Sequence, residues 1–172
     1  LNAYLLAGLT EFWRAHRHHA GVLHYGYLIY DQPFGYTCDH FVDVEKLRLE
    51  PQFADYMSEA SKPLGVYINF WQPELPAGAD RAIDVMMVND THEEADGRLV
   101  LSLEAADGSS LGGSERPFRL LPVGDAAYNM TLSVPKEAEG ACLLKATAIA
   151  ANGWPDSPTV SRRKTRIVPA RP

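Results

Sequence analysis

The sequence predicts a mainly-β fold, and two observations carry that prediction. From Lys62 onward apolar residues recur with a period of two, and turn-forming residues break the pattern at short intervals. Before Lys62 the pattern is different: one helical period, then an unbroken apolar run, then a short helix, which makes a separate N-terminal segment over residues 1–61. The 172 residues are 46% hydrophobic and 22% charged, an ordinary globular composition with enough length to bury a sizeable core.

The first element expected is an amphipathic helix from Tyr4 to about His18. Leu5, Leu9, Phe12 and Trp13 recur at near-helical spacing, His16 continues their face, and Gly21 stands where a helix would stop. Gly21 to Tyr30 then reads GVLHYGYLIY, apolar and aromatic with no polar alternation, as a strand buried on both faces does. Such a strand needs neighbours on both sides, so the segment implies partners outside itself. A Gly/Pro-rich loop from Asp31 to about Asp43 leads into a short helix near Pro51 to Ala60, with Pro51 suited to an early helical position.

In the second region, 62–172, Leu64, Val66, Ile68 and Phe70 alternate with Gly65, Tyr67 and Asn69. Ile83, Val85 and Met87 alternate in the same way, as do Leu99, Leu101 and Leu103, each set implying a strand with one buried face. Further strands fit Pro117 to Pro122, Tyr128 to Val134, Ala141 to Ala150 and Thr159 to Val168, and Gly112-Gly113 reads as a polar hairpin-like turn. About seven short strands over roughly a hundred residues describe an immunoglobulin-like antiparallel β-sandwich.

Several function classes are disfavoured. A net charge of -6 argues against nucleic acid as the main partner. The one basic cluster, Arg162, Arg163, Lys164 and Arg166, lies in a late strand, where blunting a sheet edge is its better reading. No apolar run approaches the roughly 18 residues that would span a bilayer, so no membrane partner is expected. The chain begins at Leu1 without an initiator Met or the marks of a signal peptide, so the natural N-terminus is expected upstream or processed away. Cys38 and Cys142 stand far apart; the strand parity that turns Lys145 and Thr147 outward turns Cys142 inward as a buried thiol, and the compartment stays open.

At this point the residues resemble a known family. Trp13-Arg14, Ala20-Gly21-Val22-Leu23 and His24-Tyr25 are similar to the last helix and last strand of the (β/α)8 barrel in glycoside hydrolase family 2, the β-galactosidase, β-glucuronidase and β-mannosidase group. Asp39, Pro51 with Phe53 and Tyr56, Pro63-Leu64-Gly65-Val66, and Val88-Asn89-Asp90 followed by Gly97 and Leu99 to Leu103 are similar in order and approximate spacing to that family's passage into an immunoglobulin-like domain. The resemblance implies that residues 1–61 are a helix-strand-helix remnant of the barrel and that the remainder of the parent barrel is a partner. One departure stands out: His24-Tyr25-Gly26 and Leu28-Ile29 replace the family's Tyr-Trp-Gln and Asn-Asp, so sugar specificity and activity do not carry over.

Retaining glycosidases need two carboxyl groups about 5 to 5.5 Å apart. In the family both are glutamates on barrel strands that would precede Leu1, so catalysis is not expected of this chain. Glu11 is the only glutamate before Gly21 and reads as a solvated helix surface. Tyr30, Asp31, Tyr36, Asp39 and His40 would lie at or near the parent pocket rim, because barrel active sites sit at the C-terminal strand ends. Asp39 could orient a sugar hydroxyl or simply satisfy turn amides.

Tyr67, Trp71 and Trp154 are candidates for a carbohydrate-stacking platform, although a lid over the junction with the barrel is the better reading of Tyr67 and Trp71, because their segment directly follows the barrel-like portion. His16, His18 and His19 lack the further ligands a zinc site needs, and no phosphate loop is present, so no cofactor or metal is expected. An independent hydrolase using His24, Asp31 and Asp39 is the weakest alternative.

Overall fold

The computed structural model describes residues 2–18, 21–22, 40–43, 45–151 and 158–170. Helix α1 spans Asn2–Ala15 and helix α2 spans Pro51–Ser61, while β1 (Phe41–Asp43) and β2 (Arg48–Leu49) form a small antiparallel ribbon before α2. That ribbon lies where the sequence suggested only loop. Helix α2 begins as expected, with Pro51 in its first turn and the Glu50 carboxylate accepting the Phe53 amide at 2.6 Å.

Eight strands follow: β3 (Leu64–Ile68), β4 (Glu74–Pro76), β5 (Asp80–Asn89), β6 (Ala95–Ala105), β7 (Ser110–Leu120), β8 (Asp125–Ser133), β9 (Gly140–Ala150) and β10 (Thr159–Val168). They make a sandwich of two sheets, one ordered β4-β10-β9-β6-β7 and the other β3-β5-β8. Pairing is antiparallel except between β10 and the short β4. The core lies between the sheets, where the alternating residues Ile83, Val85, Met87, Leu99, Leu101, Leu103, Leu144, Ala146 and Ala148 are all buried. Cys142 joins this core as a free thiol whose pKa is raised by burial.

Two expectations need correction. The Gly112-Gly113 pair is not a turn but part of β7, opposite Leu103 and Ser102, beside an irregularity in the β6–β7 register. The turn instead lies at residues 106–109, where the Asp107 carboxylate accepts from the amide and hydroxyl of Ser109. Strand β3 is buried along its whole length rather than on alternate residues, because its outer face lies beneath α1.

Gly97 shows how closely the central strands approach. A Cβ there would collide with the Ile149 carbonyl and come within 2.8 Å of the Ala150 Cα. Gly97→Ala is therefore expected to destabilise the protein by about 2 kcal/mol or more, as strand displacement or overpacking does, and chemical denaturation would measure it. A variant as stable as the wild type would mean that β9 can move aside.

Candidate functional site

The joint between the helices and the sandwich gathers the most committed polar chemistry of the described residues. Helix α1 turns Ala3, Ala7, Gly8, Thr10, Glu11 and Ala15 inward. Leu5, Leu9 and Trp13, which the spacing placed on the core face, are instead 44%, 52% and 42% exposed. The small inward residues explain the inversion: they let the helix backbone lie close to α2 and to β3. Ala3 and Ala7 pack with Phe53, Met57 and Ala60 of α2. On the sheet side, a Cβ on Gly65 would meet the Val88 side chain and come within 3.1 Å of Arg14 Nη1.

Glu11 is the second correction on this helix. It is buried, 7% exposed, rather than solvated. Its Oε2 accepts from Arg163 Nη2 at 2.8 Å and from the Ser161 hydroxyl at 2.7 Å, and Ser161 Oγ in turn accepts the Ile68 amide at 3.3 Å. One carboxylate thus ties α1 to a strand of each sheet. The Arg163 guanidinium lies 4.3 Å from the Trp71 ring centroid and 5.2 Å from that of Tyr67, and it donates to the Arg162 carbonyl at 2.8 Å. Its Nε is buried without a hydrogen-bond partner among the described residues.

Desolvation raises the Glu11 pKa above its ordinary 4.5, against the opposing attraction of Arg163 and the hydrogen bonds from Ser161 and Arg163. A raised carboxyl pKa means the folded state holds its proton more tightly than the unfolded chain. That contribution to stability is therefore complete below pH 4.5 and is lost as pH rises through the folded value. Compared with Glu11→Gln, which cannot ionise, the wild type should lose stability progressively as pH rises above 4.5. Urea titrations of both proteins across that range check it, and a gap that runs the other way would refute the assignment.

Of the basic cluster on β10, Arg162, Arg163 and Lys164 meet this joint, with Lys164 still exposed, while Arg166 is exposed at the β4 end of the strand. Strand β4 covers only the Arg166 end of β10; toward the other end the Glu59 carboxylate accepts the Val160 amide at 2.8 Å and the Tyr4 hydroxyl oxygen accepts the Lys164 amide at 3.1 Å. Arg162 pairs with Asp55 at 2.7 Å and lies over the Tyr56 ring, and Lys164 lies over Tyr4. The helices thus occupy hydrogen-bonding groups that an open edge would present to other chains.

A second polar knot sits at the end of β5. Asn89 is fully buried, and its carboxamide nitrogen donates to the carbonyls of Glu93 and Leu121 at 2.7 and 3.0 Å. Its oxygen accepts from the Thr91 amide and hydroxyl at 3.0 and 2.8 Å. Next to it, Asp90 pairs with both Arg14 and Arg17, and these arginines also donate to the carbonyls of Ala60, Lys62 and Val123. The Val88-Asn89-Asp90 stretch is therefore the hinge pin of the joint, lacing two loops with Asn89 and clasping α1 with Asp90.

Of the sequence candidates, Tyr30, Asp31, Tyr36, Asp39 and Trp154 lie outside the described residues, as does most of the apolar run from Gly21 to Tyr30. His40 is half-buried, with its ring 4.2 Å from that of Phe53 and its carbonyl accepting the Glu50 amide. Tyr67 is buried beneath α1, edge-on to Phe12 and His16. Trp71 remains half-exposed; its Nε1–H donates to the Tyr67 oxygen at 3.1 Å, and a Cβ on Gly8 would clash with its ring. Sequence reasoning missed Glu11, Arg163 and Ser161 as partners.

No three His, Cys, Asp or Glu residues among those described are placed to hold a metal ion, and no described helix is long and apolar enough to cross a membrane. An open groove of about 580 Å³ has Glu74, Pro76, Gly78, Arg81, Val168 and Pro169 in its lining.

No protein-family model matches the sequence, and no curated protein matches it. Solved structures with similarity include a beta-glucosidase from Listeria innocua in complex with glucose, 9% identical, with a TM-score of 0.47 over 62% of this chain and 16% of that one. Spo0M, a sporulation control protein from Bacillus subtilis, is also 9% identical, with a TM-score of 0.49 over 63% of this chain and 49% of that one. This chain therefore spans only a small part of the glucosidase and about half of Spo0M.

Proposed function

We propose that this chain is a non-catalytic accessory β-sandwich, of immunoglobulin-like type, within a protein related to family 2 glycoside hydrolases, and that residues 1–61 belong to the end of a barrel whose remainder is its partner. Two things support the reading. The motifs from Trp13-Arg14 to Val88-Asn89-Asp90 resemble that family in order and spacing. The sheet orders β3-β5-β8 and β4-β10-β9-β6-β7 suit an immunoglobulin-like connectivity.

The observation that carries the non-catalytic part is the fate of Glu11. A glycosidase carboxyl faces substrate and a second carboxyl across a cleft, whereas Glu11 is enclosed beneath α1 and committed to Arg163 and Ser161. Its work is to hold α1 on the sandwich. The purified chain is expected to release no nitrophenol from nitrophenyl β-glycosides, and turnover that disappears in Asp39→Asn would overturn this reading.

A second reading, a carbohydrate-binding module, is favoured by one observation. Trp71 presents a half-exposed ring whose position is fixed by Tyr67, by Gly8 and by the Arg163 guanidinium. Retention on immobilised polysaccharide that Trp71→Ala abolishes would favour it. Unretarded migration through polysaccharide gels would leave the accessory role.

A further inference from the structure

We propose that the outward face of α1, flanked by Trp71, is the docking surface for another body of the same polypeptide, one that presents an uncharged aliphatic or aromatic face. The inference rests on the accessory reading and adds the surface, the partner's chemistry and the need for a covalent link.

The polarity of α1 is the first argument. Its charged residues Glu11 and Arg14 are directed to the joint, while Leu5, Leu9 and Trp13 stand at i, i+4 and i+8 along the outside of one helix. Exposed apolar residues scattered singly are ordinary, but an aligned stripe is not. Trp71 widens the stripe, because its six-membered ring lies against Gly8 on the neighbouring flank of the same helix. One turn beyond Trp13, Arg17 holds the Val123 carbonyl at 2.7 Å, and the side chains of Val123 and Leu121 are exposed there.

Rigidity is the second. Val123 is a β-branched residue at φ 53°, a left-handed conformation such residues rarely adopt, and it is pinned by Arg17 and by its own amide bond to the Thr91 carbonyl. The Trp71 ring is fixed by the Tyr67 hydroxyl and Arg163. A surface fixed in advance loses little conformational freedom when covered.

Size selects the occupant. A helix of 14 residues is about 21 Å long, so a stripe one side chain wide with its flanks offers only a few hundred Å². Stable complexes between free proteins bury about 800 Å² on each side. A second copy or a freely diffusing partner therefore lacks area here. A covalently linked body reaches an effective concentration on the order of millimolar, at which so small a patch suffices.

Two measurements test this. Light scattering on this chain at about 100 μM should give the monomer mass, and a dimer that Leu9→Gln dissolves would overturn the proposal in favour of a second copy. In the full natural polypeptide, Leu9→Cys should react with maleimide at least about tenfold more slowly than the same variant of this chain alone, read by peptide mass analysis, while Thr131→Cys on the exposed part of β8 reacts equally in both. Equal labelling of Leu9→Cys would refute the docking surface, and so would a natural protein with no further body. Neither result touches the accessory reading's own test, which is turnover of nitrophenyl glycosides.

Discussion

Arg163→Met should destabilise the protein by about 3–5 kcal/mol, because it leaves the Glu11 carboxylate buried with one hydroxyl in place of its countercharge. Glu11→Leu should cost a similar amount: among the described residues Arg163 would keep the Tyr67 and Trp71 rings and a backbone carbonyl around a guanidinium that is almost fully enclosed. The double variant is the informative one. Desolvating both charges offsets most of their mutual attraction, so replacing the pair together by apolar side chains of similar size should return the protein to within about 1–2 kcal/mol of the wild type. Urea unfolding of the four proteins closes the cycle. If the two single losses simply add in the double variant, Glu11 and Arg163 are not coupled, and the account of how α1 is held fails.

The sandwich was legible because its residues obey one rule, inside and outside alternating along each strand. Thr159 to Val168 was read to the residue, and Leu99, Leu101 and Leu103 were placed in the core correctly. The rule fails where a third layer covers a sheet. Strand β3 looks one-sided in sequence, yet α1 buries Tyr67 on its other face. Helix α1 itself misled for a related reason: its apolar stripe gives the helical period but faces outward, while small residues, whose signal in a periodicity count is weak, make the contact.

The Glu11–Arg163 pair was beyond sequence reasoning in a different way, since 152 positions separate its members. One clue was present in β10. Ser161, Arg163 and Thr165 occupy one parity and Arg162, Lys164 and Arg166 the other, so neither face is apolar over that stretch. A strand with no apolar face that still belongs to a sandwich must have polar partners waiting, and the helical layer supplies them. The Val88-Asn89-Asp90 motif carries a family resemblance in sequence, and its hydrogen bonds show what it does in the fold: Asn89 laces two loops and Asp90 holds Arg14 of α1.

Asn89→Ala is expected to cost about 3–4 kcal/mol, or roughly 10 °C in Tm for a chain of this size. Four hydrogen bonds converge on a carboxamide with no solvent exposure, two donated to the carbonyls of Glu93 and Leu121 and two accepted from Thr91. Alanine leaves those carbonyls and the Thr91 groups short of partners where water does not readily replace them. Asn89→Asp separates the contributions. It keeps the acceptor for Thr91 but sets a carboxylate oxygen where the nitrogen donated, facing two carbonyl oxygens. It should therefore be at least as damaging as alanine at neutral pH and recover part of the loss in acid, when a proton restores one donor. Hydrogen exchange should locate the damage in residues 90–94 and 121–124, and in α1 and the turn after it through the Asp90 bonds to Arg14 and Arg17. Exchange that accelerates uniformly across the sandwich, with no excess at α1, would show that Asn89 stabilises the sheet alone and does not hold the joint.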